Sequence, residues 1–87
     1  MSSMRTADRE IIDRVREVLA RALEVPLESV PTDAAQGSFE RWDSLGHLNV
    51  VMELEAAFGV SFSTNEAVGM RSVAEIVEVL KRQMNGH

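Results

Sequence analysis

Apolar residues recur at helical spacing in three stretches of this chain, and nowhere do they alternate as a half-buried strand requires. Ile11, Val15, Val18, Leu19, Ala22 and Leu23 put one stripe on a helix over residues 7 to about 23. Thr6 is a candidate N-cap for it, Asp8 and Glu10 suit the positive end of its dipole, and Pro26 lies just past its end. A second helix is predicted over 44–58, with Asp43 as its cap and Gly59 at the left-handed stop. Ser63-Thr64-Asn65-Glu66 reads as a capping box that opens a short helical turn interrupted at Gly69. Ser72-Val73-Ala74-Glu75 is a second capping box. Val73, Ile76, Val77 and Leu80 continue it as an amphipathic helix that frays toward Asn85-Gly86.

Residues 24–43 show no sustained period. Pro26, Pro31 and Gly37 mark a loop, and nearly twenty structureless residues are unusual in so small a domain. Leu27, Val30, Phe39 and Trp42 are expected to pin it onto the helices, although Phe39 and Trp42 could also serve binding. The expected fold is all-α: a small four-helix bundle, three main helices plus one short helix, with a long loop after the first helix. Residues 1–87 are expected to form one domain with an ordered core of about 6–83.

A chain of 87 residues buries only roughly 60–65% of the surface its unfolded form exposes, which leaves little room for an active-site cavity. It has no cysteine, so no disulfide framework or thiolate metal site supports the core. The longest apolar runs fall far short of the ~20 residues that cross a bilayer. The N-terminus reads as polar and charged without an h-region, so a cytoplasmic protein is expected. Net charge is −5, unevenly placed. Arginines at 5, 9, 14, 16 and 21 crowd the first quarter, whereas no Lys or Arg falls between Trp42 and Met70. Nucleic acid is disfavoured for want of a basic footprint, and a partner with a basic patch fits better.

The charge pattern directs attention to Trp42-Asp43-Ser44-Leu45-Gly46-His47-Leu48, where loop gives way to helix. Around the second helix at ~100° per residue from Ser44, Val50, Leu54, Val51 and Phe58 fall between ~240° and ~340°, with His47 among them. Leu48, Met52 and Leu45 form a second apolar arc at ~40–100°, with Glu55 near ~20° and Gly46 and Glu53 toward solvent near ~180–200°. One arc suffices for a bundle. The second is either buried beneath residues 27–42 or is a recognition surface around the serine. Ser44 itself is either a plain N-terminal helical serine or a hydroxyl placed to carry an esterified phosphate, since a helix start stabilises negative charge.

Asp43-Ser44-Leu45, the following Leu54-Glu55 and Phe58-Gly59, and Ser72-Val73 at the start of the last helix together resemble the acyl carrier proteins of fatty-acid and polyketide synthesis, a phosphopantetheine-binding carrier domain. The resemblance covers nearly the whole chain, long loop included. It implies that Ser44 carries 4′-phosphopantetheine, transferred from coenzyme A by a separate phosphopantetheinyl transferase. The arm's thiol would then hold acyl groups as thioesters for partner enzymes of fatty-acid, polyketide or other specialised biosynthesis. Asp43 would help present the serine. Leu45, Leu48, Met52 and Glu55, with Glu53 at the margin, would dock acyl-activating ligases or synthases that carry basic patches. No metal is assigned, since the family's transferase holds its own, and a monomer is expected. Gly46, Asn49, Ala56 and Ala57 stand where fatty-acid carriers often have acids, which leans toward a dedicated partner.

Three rivals remain at this level. Ser44 and His47 could form a hydrolytic pair, but no G-x-S-x-G elbow is present, so no enzyme activity is expected. The chain could be a helical interaction module without a prosthetic group. It could also be a peptidyl or aminoacyl carrier, although Asp43 rather than His before the serine favours the acyl type. A cleft lined by Val51, Leu54, Phe62 and Ala67 is a candidate shelter for a short acyl chain.

Overall fold

The computed structural model describes residues 6–37 and 40–85. Four helices follow in order: α1 (Thr6–Leu23), α2 (Ser44–Phe58), α3 (Thr64–Gly69) and α4 (Val73–Asn85), with a 3-10 turn at Leu27–Ser29. The helix α1 already includes Thr6, one residue earlier than the sequence suggests. The cap expected from Thr6, the dipole contribution of Asp8 and the fraying toward Asn85-Gly86 lie outside the described side chains, as does Phe39.

The stripe on α1 does what its spacing requires. Val15, Val18, Leu19 and Leu23 are buried against α2 and α4, together with Val50, Leu54, Val73, Ile76 and Leu80. Trp42 is fully buried and is the largest side chain of this core. Its indole N–H donates to His47 Nδ1 at 3.0 Å, so burial leaves no orphan donor. Of the residues expected to pin the loop, Val30 and Trp42 are buried. Leu27 stays 40% exposed, because the 3-10 turn carries it outward.

Three arginines of α1 tie it to the rest of the fold. Arg16 donates to the carbonyls of Val30 at 2.7 Å and Leu27 at 3.3 Å, which fastens the start of the loop. Arg14 donates to Ala57 O at 3.0 Å, and its guanidinium lies 4.5 Å from the centre of the Phe58 ring. Arg21 meets Glu53 at 3.5 Å. A cation near the last carbonyls of α2 also suits the negative end of its dipole. Arg14, Arg16 and Arg21 are thus ties between α1, the loop and α2.

The second half of the loop is stitched to the start of α4. Gln36 N–H donates to Arg71 O at 2.7 Å and Val73 N–H to Ala34 O at 3.0 Å, around an isolated antiparallel bridge between Ala35 and Ser72. Among the described residues this is the only β-type pairing, and no strand forms. Ser63 and Glu66 form a complete capping box on α3. At α4, Ser72 Oγ accepts from Glu75 N–H at 3.2 Å as expected. The Glu75 carboxylate reaches one residue further back, accepting from Arg71 N–H at 3.0 Å.

Candidate functional site

Asp43 sets the geometry of the site. Its backbone is extended, and its Oδ1 accepts from Gly46 N–H at 2.8 Å, an N-cap that fixes where α2 begins. Ser44 is therefore the first helical residue, and it is exposed. Its place at the positive end of a helix four turns long favours an anionic ester on its hydroxyl.

Gly46 is essential to this arrangement. A Cβ there would stand 2.6 Å from Arg41 O and 2.9 Å from the Leu23 side chain. The projection puts Gly46 and Glu53 toward solvent. In the structure both are half-buried, because the end of α1 and the turn at Arg41 close over that side of α2. The missing side chain lets the loop pass directly over the helix start and deliver Asp43 and Ser44 in register.

His47 is committed elsewhere. Its Nδ1 accepts from Trp42, and its Nε2 lies 2.7 Å from Ala67 O in α3, an arrangement that fits an Nε2–H donor. Both ring nitrogens are used to join the loop, α2 and α3, so His47 offers Ser44 no base. Trp42 is buried in this same relay, 6.1 Å between ring centres, and packs rather than binds.

The second apolar arc is open. Leu45, Leu48 and Met52 are 72%, 58% and 61% exposed, and the loop does not cover them. Val68 on α3 is 55% exposed. The two acids assigned to this face have internal partners. Glu55 is half-buried and accepts from Phe62 N–H at 2.9 Å, and Glu53 faces Arg21. Of the residues suggested as an acyl shelter, Leu54 is fully buried, Val51 and Phe62 are half-buried against the core, and Ala67 is half-buried.

A recess of about 380 Å³ adjoins Ser44, lined by Gln36, Ser44, His47, Val68 and Arg71. Sequence reasoning missed Gln36 and Arg71. Arg71 is the first basic residue after the acidic stretch, a signal that was visible, but its nearness to Ser44 depends on the loop-to-α4 stitch, which leaves no sequence pattern.

Residues 13–80 match the family model described as the phosphopantetheine attachment site. The chain is 30% identical to acyl carrier protein 3 of Ralstonia nicotianae over 74 residues, 82% of each chain. It is 28% identical to the acyl carrier protein of Thermosynechococcus vestitus over 75 residues, 86% of this chain and 93% of that one. With the acyl carrier protein of Rubrobacter xylanophilus it shares 33% identity over 69 residues, 79% of this chain and 85% of the relative. A helical bundle of this form, with an exposed, capped serine at a helix start, agrees with these matches. The chain belongs to the acyl carrier protein family, non-catalytic proteins whose cofactor is covalently attached 4′-phosphopantetheine.

Proposed function

We propose that Ser44 is the attachment point of 4′-phosphopantetheine and that α2 presents the loaded arm to partner enzymes through Leu45, Leu48 and Met52. The observation that carries this reading is the pairing of an exposed, Asp43-fixed hydroxyl with three uncovered apolar side chains on the same helix. The residues present fit the group. The hydroxyl is accessible, the helix start favours its phosphodiester, and a recess lies beside it. When bound, the arm supplies the thiol that holds an acyl group as a thioester.

The chain's own residues do the rest. Asp43 holds the first turn so that Ser44 keeps one orientation toward the transferase that takes the group from coenzyme A. Leu45, Leu48 and Met52 supply contact area, and methionine adapts to more than one partner surface. Glu55 and Glu53 add negative charge at the edge of that surface for a partner's basic patch, although both also serve internal contacts. With few acids and those two engaged, the docking face is more apolar than charged. This favours a dedicated acyl-activating ligase or synthase over general fatty-acid synthesis. Asp43 before the serine, and the acyl carrier proteins among the relatives, favour acyl over aminoacyl cargo.

The test is incubation with coenzyme A and a promiscuous phosphopantetheinyl transferase, read by intact mass. The expected result is the addition of one arm, absent in Ser44→Ala. No addition to the native chain, or the same addition to Ser44→Ala, overturns the assignment. Loading of the holo protein by acyl-activating against aminoacyl-activating ligases then separates the two cargo classes.

A further inference from the structure

The recess beside Ser44 has one basic residue in its lining. No Lys or Arg lies between Trp42 and Met70, and Arg71 follows directly. Its backbone is held by Gln36 N–H, which donates to Arg71 O at 2.7 Å, and by Glu75, which accepts from Arg71 N–H at 3.0 Å. The Glu75 carboxylate is thereby used on the backbone and on Ser72 Oγ at 3.4 Å. The Arg71 Nε donates to Val68 O at 3.3 Å, which orients the guanidinium along the wall of the recess. Among the described residues its Nη groups have no hydrogen-bond or ion-pair partner.

The other walls limit what the recess accepts. His47 spends both ring nitrogens on Trp42 and Ala67, and Val68 offers only apolar surface. Gln36 is half-buried and brings an amide. Besides the backbone N–H groups at the start of α2, the polar groups in the recess lining available to a guest near Ser44 are the guanidinium fork and that amide. A guanidinium fork matches two oxygens of a phosphate. The Asp43 carboxylate on the neighbouring residue is a like charge for any phosphodiester on Ser44, and a cation across the recess offsets it.

We propose that Arg71, with Gln36 beside it, holds the phosphodiester of the arm in this recess and biases the arm toward the junction of α3 and α4 instead of free solvent. The inference rests on Ser44 as the attachment point. Arg71 is a positioning residue: it touches the phosphate and not the thioester. It also sets a direction, since an arm leaving this recess starts on the Val68 side of Ser44 and away from the turn at Arg41.

The test is phosphorus NMR of the holo protein, with intact mass as the control for loading. The phosphodiester resonance of the native holo protein should differ from that of the same protein unfolded in urea. It should move most of the way to the unfolded value in Arg71→Ala and part of the way in Arg71→Lys, with melting temperatures unchanged. Salt near 1 M, where the Debye length is about 3 Å, should produce a similar move in the native protein. Conversion from apo to holo should shift the Arg71 Nε–H and Gln36 side-chain amide signals. Identical resonances in loaded native and Arg71→Ala proteins overturn the clamp and leave the attachment at Ser44 standing. Failure to load the native protein removes both. Where the transferase rejects Arg71→Ala, the salt titration and the apo-to-holo shifts decide, and no shift in either overturns the proposal.

Discussion

The helix α2 meets its surroundings in two different ways along its two apolar arcs. On one, Val50 and Leu54 are fully buried against α1 and α4. On the other, Leu45, Leu48 and Met52 are each more than half exposed. The residue types are alike, so hydrophobicity alone does not separate the arcs. A bundle of this size needs one apolar face per helix, and the buried arc already provides it. The open arc brings far less burial energy to the folded chain, and it lies beside Ser44 on the same helix. An uncovered apolar face on a small protein marks a surface meant for contact. On the function proposed above, the stability of α2 and its recognition are divided between two faces of one helix.

The largest break in this division comes from the buried side. Trp42→Ala removes the largest core side chain and leaves His47 Nδ1 without its donor. Loss of a buried aromatic costs about 3–5 kcal/mol, comparable to the whole stability of many small domains. The expected outcome is a mostly unfolded protein at room temperature, measured by far-ultraviolet circular dichroism, because the variant lacks the only tryptophan. A cooperative native-like melt would show that the relay through His47 and Ala67 is dispensable.

Gly46→Ala tests the third side of α2, where the turn at Arg41 crosses the helix. The new Cβ would lie 2.6 Å from a backbone carbonyl that has little freedom to yield. Overpacking of this kind costs about 1–3 kcal/mol, against roughly 1 kcal/mol gained in helix propensity. A net loss near 1 kcal/mol is expected in urea unfolding, together with slower loading of Ser44, since Asp43 and Ser44 follow the displaced turn. Unchanged stability and loading would mean that the loop approaches the helix less closely than described.

Much of this architecture was legible from the sequence. Asp43 and Gly59 mark both ends of α2, and the bounds 44–58 follow from them. Ser63 and Glu66 announce α3 by local hydrogen bonds that need no tertiary context. Ser44 and Asp43 could be singled out for the same reason: a cap and a helix start are local. The rest depends on contacts far apart in the chain. Helical projection treats α2 as alone in water, so it could not tell that α1 covers Gly46 and Glu53 while Leu48 stays more than half exposed. The stitch from Ala34 and Gln36 to Val73 and Arg71 is backbone pairing without periodicity, and it brings Gln36 and Arg71 together at the recess.

A smaller effect is expected at the end of α1, away from both arcs. Glu24 has a φ of 59°, and Val25 N–H closes the helix onto Ala20 O at 3.0 Å. This is a left-handed stop occupied by a residue with a Cβ, which costs roughly 1–2 kcal/mol relative to glycine. Glycine in turn adds about 0.4–1 kcal/mol of entropy to the unfolded chain. Glu24→Gly should therefore stabilise the protein by about 0.5 kcal/mol net, a rise of roughly 2–4 °C in Tm. It should leave docking and loading unchanged, so it separates the firmness of the frame from the function of α2.

The smallest effect on stability, and the most informative, belongs to the open arc. Leu48 is 58% exposed, so Leu48→Ala deletes methyl groups that fold no part of the core. Its unfolding free energy should stay within about 0.5 kcal/mol of native. Apolar anchors at the centre of an interface cost more than about 1 kcal/mol when truncated, which corresponds to at least a roughly five-fold lower kcat/KM for a partner that uses them. The measurement is a pair on one sample: urea unfolding of the apo protein and steady-state loading by the transferase and an acyl-activating ligase. A loss of loading at unchanged stability confirms that the second arc is a contact surface. A loss of stability with unchanged loading would reverse the division, making Leu48 part of the fold and leaving Leu45 and Met52 to carry recognition.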